Sequence, residues 1–546
     1  MSTQRTPAAA QWMRAIDVAE LRARGRGVVR LGSRQIALIV DAREATQRVY
    51  ACNNRCPHEG YPLVEGHTSP QDGGCRLTCN YHNWAFDLAS GDNVYGGDRL
   101  RVYPVELRDG AVWVDLAEPP AAERIAAAHD ALREARAEHD YARIARELAR
   151  LERLGADPRD ALRAAIVESH DRLEDGMTHA YAASAAWLRV RGDVERLTPG
   201  GDDAAELRLI CLQEAIGHIA WDTLRAPRYP YTDTCAAYDR ATFAGAIEAQ
   251  DEDAAIGQLH GALAAGLHVD DLDDALAGAA LAHYADFGHS LIYLQHVRYL
   301  IAELGEQVEA PLLRALVRSF VRATREDLLP DFRAYAPALA SWPAAFGRDA
   351  GPVTVDGGPP TRALLEQVVA LAARCTPQAL YVALLHANAV NLACFDTRFE
   401  QHAASKPGED IGWLDVTHGI TFAHAAREQC GRTPALWPKA LLQMALFVAR
   451  NRDYVDTTLV PPPVDAQRFA RDGLARVLDH GVGLYIHSAH LLKTWLAARD
   501  ELALGLPDAV AATLRAGAWR YLVTPVKQKH TRRAARLALA FVARED

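Results

Sequence analysis

Two short motifs, Cys56-Pro57-His58 and Cys79-Asn80-Tyr81-His82, decide the fold of the N-terminal region, and twenty residues separate them. Each motif carries one thiolate and one imidazole on a short stretch of chain. Two such loops facing each other supply the donors of a [2Fe-2S] cluster in which one iron binds two cysteines and the other binds two histidines. Structural zinc is the alternative, but zinc fingers usually pair Cys with Cys and His with His. The mixed pairs therefore favour an iron-sulfur cluster.

From Met13 to Leu116 the chain resembles the Rieske family. The resemblance lies in the two motifs, in Gly60 behind the first pair and in Trp84-Ala85-Phe86-Asp87 behind the second. The loop between the motifs is longer than is usual in the family, and Thr68–Gly74 predicts an inserted turn. The resemblance implies four cluster ligands, which are Cys56 and Cys79 on the inner iron and His58 and His82 on the outer iron.

The same resemblance bears on the class of Rieske protein. Subunits of respiratory complexes carry an extra cysteine after each ligand pair, whereas Tyr61 and Asn83 stand there in this chain. The resemblance therefore implies the ferredoxin and oxygenase type.

No apolar run has the length of a membrane span, and a net charge of -10 without a basic cluster argues against a nucleic-acid partner. Nine cysteines suit a reducing compartment, so we expect a cytoplasmic protein with no membrane partner.

The 546 residues exceed the size of one hydrophobic core, so several domains are expected. Alternating apolar residues, as in Gln35–Val40, predict short antiparallel strands before Pro119-Pro120, and helical spacing follows. We predict a multidomain α+β protein in which a small all-β domain precedes a large all-α domain with an internal duplication. The predicted boundaries are 10–117 for the β domain, and 121–335 and 361–546 for the two helical halves.

Six segments of the helical region each place one histidine in an otherwise apolar helix. Their separations are 39 and 71 residues in the first three and 32 and 69 in the last three, which indicates two related halves. We hypothesise that at least three of them bind a second iron, because imidazole suits iron. The alternative for each histidine is a hydrogen-bonded place in the core. The six are His179, His218, His289, His386, His418 and His487, with His218 and His418 as the candidate catalytic residues.

Other polar side chains lie on the same helical faces as these histidines, at spacings of three or four residues. They are candidates for completing a mononuclear or dinuclear iron site. Three such groups are Glu214, His218 and Asp222, spaced by four residues, His283, Asp286 and His289, spaced by three, and His487 with His490.

Two helical segments, Leu384-Leu385-His386 and Val416-Thr417-His418-Gly419-Ile420-Thr421-Phe422, are faintly similar to questin-oxidase-like proteins. That family carries out oxidative ring cleavage of aromatic polyketides. The resemblance implies oxidative chemistry in the helical region. No Gly-rich dinucleotide fingerprint follows a strand, which argues against a nucleotide cofactor there.

Together these inferences predict a Rieske-type oxidoreductase, an iron-dependent oxygenase. A reductase or ferredoxin would supply electrons, and the cluster would pass them to a non-haem iron that activates dioxygen on a small organic substrate. A Rieske centre at about -150 to +300 mV accepts electrons from plant-type ferredoxins at about -400 mV. The oxygenases that this domain resembles pass electrons between subunits, so a homo-oligomer fits the prediction. The alternative is an electron carrier or redox-sensing binding protein with no second metal.

Overall fold

The structure, a computed structural model, divides into two compact units, Met1–Ala161 and Leu162–Asp546. The first unit contains the β domain and the second is helical, so the predicted α+β class with a small β domain ahead of a large helical region is confirmed. The described residues are 10–41, 48–71, 74–197, 202–400, 411–526, 535 and 538–539.

Strands of the β domain form three small antiparallel sheets, with strand orders β1-β10-β9, β2-β3-β4-β8 and β5-β6-β7. The first motif follows β4, and the second motif connects β6 to β7. Both motifs therefore leave the ends of paired strands, which fixes the base of each loop. The strands are β1 (Trp12–Asp17), β2 (Arg26–Leu31), β3 (Arg34–Val40), β4 (Val49–Asn53), β5 (His67–Gln71), β6 (Gly74–Thr78), β7 (Ala85–Asp87), β8 (Val102–Tyr103), β9 (Val105–Arg108) and β10 (Ala111–Asp115).

The segment expected to be an inserted turn, Thr68–Gly74, is for the most part a hairpin. β5 pairs with β6 so that Pro70 lies opposite Cys75, and only residues 72–73 between the strands lie outside the described part of the chain. Cys75 and Leu77 are buried and alternate with half-buried neighbours, which gives β6 an inner face. The described part of this segment is therefore paired strand.

Helices account for most of the remaining described chain. The first unit holds α1 (Val18–Arg24), α2 (Ala121–Ala137) and α3 (Tyr141–Arg153), and α4 (Arg159–Ser169) begins at its end. The second unit continues with α5 (His179–Leu197), α6 (Asp202–Asp222), α7 (Arg240–Glu248), α8 (Glu252–Ala264), α9 (Asp273–Ala280), α10 (His289–Leu304), α11 (Glu309–Arg322), α12 (Tyr335–Ala340), α13 (Thr361–Ala372), α14 (Pro377–Ala393), α15 (Trp413–Arg432), α16 (Trp437–Asn451), α17 (Ala466–Leu478), α18 (Tyr485–Leu502) and α19 (Asp508–Val523).

Local sequence explains where several helices begin. The side chain of Thr376 accepts the N–H of Ala379, and Pro377 occupies the first turn of α14, where its missing N–H costs no hydrogen bond. Asp239 caps α7 in the same way by accepting the N–H of Thr242.

No helix that the structure describes has both the length and the apolar content required to cross a bilayer.

Helices from both predicted halves pack against one another within the second unit. α5 contacts α10 and α18, and α15 contacts α10 and α18, so these four helices surround one centre. Between α12 and α13 the chain forms no helix or strand over the Pro/Gly-rich stretch from residue 341 to residue 360. The boundaries 121–335 and 361–546, and the internal duplication, remain predictions.

Candidate metal centres

The two motif loops of the β domain repeat one backbone geometry. In each loop the N–H of the fourth residue after the cysteine donates to the cysteine carbonyl, and the cysteine N–H donates to the carbonyl of the fifth residue. The loops are thereby closed by the same pair of hydrogen bonds and present their side chains alike. The bonds are Gly60 N–H to Cys56 O at 2.8 Å, Cys56 N–H to Tyr61 O at 2.9 Å, Asn83 N–H to Cys79 O at 3.0 Å, and Cys79 N–H to Trp84 O at 2.8 Å.

A left-handed residue makes each closure feasible. Gly60 has φ of 75° and Asn83 has φ of 59°, at equivalent positions of the two loops. Glycine has no Cβ to clash in this region, and asparagine tolerates it better than most residues. These two residues therefore explain in local terms why both loops turn tightly behind their ligands.

The ligand side chains of the two loops approach each other. Cys56 and Cys79 are 3% and 2% exposed within an apolar cluster that includes Phe86. The rings of His58 and His82 lie 4.6 Å apart and nearly perpendicular, with His82 exposed. The cysteines therefore lie inside the domain and the histidines at its edge, as a cluster with an inner and an outer iron requires.

Two observations test whether these residues fit a [2Fe-2S] cluster. The Nδ1 atom of His58 is buried and has no hydrogen-bond partner among the described residues, which suits a nitrogen that ligates a metal. Burial, with Cys79 nearby, raises the pKa of the Cys56 thiol to about 11, so a metal is needed to hold it as a thiolate at neutral pH. The residues fit the cluster.

Four histidines meet in the helical unit, and one ring nitrogen of each lies within 4.8 Å of the others. They are His179, His289, His418 and His490. The Nε2 atom of His418 lies 2.9 Å from Nε2 of His289 and 3.4 Å from Nε2 of His490. His179 and His289 are the first residues of α5 and α10, and His418 and His490 are the sixth residues of α15 and α18. The N-terminal turns of four helices therefore form this four-histidine centre.

The outer nitrogen, Nδ1, of each ring has a neighbour away from the centre. Two of these neighbours are backbone carbonyls one turn earlier in the same helix, to which an imidazole can only donate. The other two are a carboxylate and a phenol. The distances are His418 Nδ1 to Leu414 O, 2.5 Å; His490 Nδ1 to Ile486 O, 2.7 Å; His289 Nδ1 to Asp286 Oδ2, 3.4 Å; and His179 Nδ1 to Tyr293 Oη, 3.5 Å.

For two of the four rings this hydrogen bonding leaves the inner nitrogen without a proton. Because His418 and His490 each donate from Nδ1, their neutral rings carry lone pairs at Nε2, and these face each other at 3.4 Å. Burial, helped by neighbouring imidazoles and Lys493, lowers the pKa of both rings well below the usual value, so protonation does not relieve the repulsion. The Nε2 of His179 is also buried and has no hydrogen-bond partner in the described chain. A cation at the centre would satisfy these nitrogens.

Lys493 adds a buried amine beside the centre. It lies one turn after His490 in α18, is 3% exposed, and burial lowers its pKa to about 7. Its charge in turn helps to depress the pKa of His179 and His218. The amine can therefore lose or take up a proton near neutral pH. Sequence reasoning missed this residue, although a lysine within the apolar run Leu491–Leu496 was a visible signal.

A left-handed turn precedes His289. Asp286, Phe287 and Gly288 have φ of 46°, 51° and 72°, three consecutive residues in a region that costs about 1–2 kcal/mol for each residue with a Cβ. A Cβ on Gly288 would lie 2.5 Å from the ring of Phe422, so only glycine fits there. The turn aims the carboxylate of Asp286 back at the imidazole of His289. Backbone strain of this kind is concentrated at functional sites.

Residues from other helices hold this turn in place. The N–H of Phe287 donates to Oε2 of Glu326 at 3.0 Å, and Arg450 donates to Oε1 of the same carboxylate at 2.6 Å. The guanidinium of Arg450 also lies over the Phe287 ring at 3.8 Å. The N–H of Asp286 donates to the carbonyl of Thr324 at 3.0 Å. The surrounding structure thus fixes the strained conformation.

The structure brings together three of the six predicted histidines, His179, His289 and His418. The fourth member of the centre is His490, which had been placed only on the face of His487. The two lie three residues apart on α18, and the ring that faces His418 is the later one. His487 does not belong to the four-histidine centre.

The other two predicted histidines lie elsewhere. His218 stacks on Tyr485 with ring centres 5.0 Å apart, and its Nε2 lies 3.6 Å from Asp222. His386 is half-buried on α14, and its Nε2 lies 3.3 Å from the hydroxyl of Thr513. The structure therefore does not group either residue with the four histidines. That at least three of the six bind a second iron stays a prediction.

Comparison with known proteins concerns the β domain. The sequence profile of the Rieske [2Fe-2S] domain matches residues 11–104, which confirms the N-terminal resemblance. The chain is 33% identical over 106 residues to the 4beta-methylsterol monooxygenase of Methylococcus capsulatus, covering 17% of this chain and 27% of that protein. It is 37% identical over 78 residues to the vanillate O-demethylase oxygenase subunit of a Pseudomonas species, covering 13% and 22%.

Solved structures match the same part of the chain. The ferredoxin of carbazole 1,9a-dioxygenase from Nocardioides aromaticivorans is 20% identical, with coverage of 20% of this chain and 97% of the ferredoxin and a TM-score of 0.17. The chain spans about a quarter or less of the length of the curated relatives that it matches.

Proposed function

We propose that this chain, whose residues 11–104 form a Rieske [2Fe-2S] domain, is an iron-dependent oxygenase. In this proposal the β domain receives electrons, and the four-histidine centre of the helical unit holds an iron at which a small organic substrate is oxidised. The names of the relatives, a monooxygenase and an oxygenase subunit, support oxidative chemistry for this chain.

The two groups would divide the chemistry. A [2Fe-2S] cluster supplies one-electron transfer, and an iron bound by imidazoles supplies the activation of dioxygen. The residues of the chain bury the sulfur ligands and keep the inner nitrogens of His418 and His490 free of protons, and burial lowers the pKa of the Lys493 amine to about 7. At the outer edge of the β domain, His82 is exposed beside Tyr81, which is 58% exposed. This edge would meet the reductase or ferredoxin.

One observation carries the proposal of a second metal. The Nε2 atoms of His418 and His490 face each other at 3.4 Å while the Nδ1 atoms of both rings are committed to backbone carbonyls. Packed histidines of a core avoid placing two lone pairs against each other, because nothing bonds them. A metal ion between the rings turns this repulsion into ligation.

Iron content of anaerobically purified protein tests the proposal. The cluster contributes two irons, and ligand atoms within 4.8 Å of one another suit a single further ion, so we expect about three irons per chain. About two irons would favour the electron carrier or redox-sensing binding protein, and about four a dinuclear centre.

Variants separate the two sites. His418→Ala and His490→Ala should each remove the third iron and leave the visible absorption of the Rieske cluster unchanged. His296→Ala is the matched control, because this half-buried histidine also donates from Nδ1 to a carbonyl one turn earlier, that of Ile292, but lies outside the centre. Full iron content in both test variants would overturn the proposed second site.

The proposal has four further parts. The electron donor is a reductase or ferredoxin, and the reactants are dioxygen and a small organic substrate. The protein is a homo-oligomer, and it is located in the cytoplasm. The similarity of the helical region to questin-oxidase-like proteins remains a prediction.

A further inference from the structure

A cavity of about 400 Å³ lies in the helical unit, between α7, α9, the end of α11 and the first turn of α10. Seven of its lining residues are alanines, and Gly245 and Gly278 open it further. Cavities that bind small organic molecules typically measure about 300–1,000 Å³ and are lined mostly by apolar groups. The size and the smooth walls suit a small, rigid organic molecule.

A serine residue lies in the wall of this cavity. Ser290 lines the cavity and is 6% exposed, and its Oγ is not one of the fully buried side-chain atoms that lack a partner among the described residues. Its hydroxyl adds a polar group to a wall that is rich in alanine and glycine. A hydroxyl can donate one hydrogen bond and accept others, so it can anchor a ligand that presents an oxygen atom there.

The charged residues at the cavity rim are already paired. Arg240 lies 3.5 Å from Asp274, and Arg325 contacts both Glu248 and Asp327 at 3.0–3.4 Å. His283 completes the rim and lies 2.6 Å from Glu248 and 3.0 Å from Asp327. Because these guanidinium groups already have carboxylate partners, a charged ligand would have to compete with existing ion pairs. A neutral ligand has no such cost.

The cavity and the four-histidine centre share a piece of backbone. Ala285 and Ser290 line the cavity, and the left-handed turn and His289 lie between these two residues in the chain. His289 is thus bonded directly to a residue of the cavity wall. A molecule in the cavity would therefore lie against the same helical turn that supplies a ligand atom to the centre.

We propose that this cavity binds the organic substrate, a neutral and largely apolar molecule that presents a carbonyl or hydroxyl oxygen to Ser290. The role as a substrate rests on the proposed function, whereas the binding itself requires no metal. The alanine and glycine residues of the lining leave room for an apolar body, and the hydroxyl of Ser290 orients one end.

Fluorescence titration with prodan, a neutral naphthalene ketone whose emission shifts to the blue in apolar surroundings, tests the proposal on the full chain. Gly278→Leu fills the cavity, since an added Cβ at this helical position meets no atom within 4 Å. Gly431→Leu is the matched control, because this glycine of α15 also has open space around an added Cβ and lies outside the cavity lining. Circular dichroism verifies that each variant is folded.

We expect saturable, blue-shifted binding to the wild type and to Gly431→Leu, and binding at least about tenfold weaker in Gly278→Leu. Ser290→Ala should bind about three- to tenfold more weakly, the loss expected for one neutral hydrogen bond. Absence of binding to the wild type, or equal binding by Gly278→Leu, overturns the cavity assignment, and equal binding by Ser290→Ala overturns the anchor. Iron content measured on the same samples shows independently whether the proposed metal centre stands.

Discussion

Replacement of Asp286 by asparagine tests the outer support of the four-histidine centre. Loss of a carboxylate that orients a metal-bound histidine typically weakens metal binding about 10–100-fold. Here Oδ2 of Asp286 lies 3.4 Å from Nδ1 of His289, longer than a strong charged hydrogen bond, and the side chain is 39% exposed. We therefore expect the lower end, about tenfold in Kd or about 1.4 kcal/mol. Asparagine tolerates the φ of 46° as aspartate does, so the turn should survive.

The assay is a chelator competition with ferrous ion on anaerobic protein whose Rieske absorption is intact. Asp331→Asn is the matched control, since it removes the same charge from an exposed position of the same unit. Urea midpoints of both variants should equal that of the wild type. An unchanged Kd in Asp286→Asn would refute the role of the carboxylate, and an equal loss in Asp331→Asn would show that net charge, and not Asp286, controls the affinity.

Three further predictions follow. Gly288→Ala should destabilise the fold by about 2–5 kcal/mol in urea unfolding, from strain at φ 72° plus the clash with Phe422. Gly266→Ala, at φ 77° in open space after α8, should lose only about 1–2 kcal/mol, and equal losses would exclude the clash. Burial raises the pKa of Asp222 to about 6, above the unfolded value of about 3.9, so the folded state loses stability as pH rises between these values. The free energy of unfolding of Asp222→Asn should equal that of the wild type near pH 4 and exceed it by up to about 3 kcal/mol above about pH 6.5. A difference that stays constant with pH would contradict this prediction. Cys79→Ser should lose the visible Rieske bands and about two irons, and persistence of the bands would show that the ligand assignment is wrong.

The β domain could be predicted from sequence because its ligands are local. Both motifs lie within Cys56–His82, and the position of Gly60 behind the first pair already indicated a tight turn. The inserted turn at Thr68–Gly74 was predicted too broadly, because residues 68–71 and 74 lie in paired strands and residues 72–73 lie outside the described residues. Strand pairing there depends on a short alternation around Cys75, while the proline and glycines of Thr68–Gly74 indicated a turn.

The helical centre was only half predictable, for a different physical reason. His179 and His490 are more than 300 residues apart, and a helical pattern does not reveal which helix faces which. His487 and His490 lie on the same face of α18, about one turn apart along its axis. The choice between them depends on how α18 is positioned along that axis relative to α15. The comparison of sequence separations selected His487, whereas His490 is the residue that faces His418 in the structure.

Other parts of the centre had almost no local signal. The left-handed conformation of Phe287 is imposed by Glu326 and Arg450, which are distant in sequence. Its stability depends on tertiary contacts and not on the propensity of the turn residues themselves. The depressed pKa of Lys493 likewise results from its burial by several helices.

The helix ends at the four-histidine centre have an electrostatic consequence. α5 and α10 begin at His179 and His289, so each directs about half a positive charge toward the centre, and neutral imidazoles add no negative charge. A divalent ion held there would keep most of its double charge, with Asp286 as the carboxylate beside a ring of the centre. Such a centre would favour the ferrous over the ferric state and would attract small anions, so azide would serve as a spectroscopic reporter of occupancy.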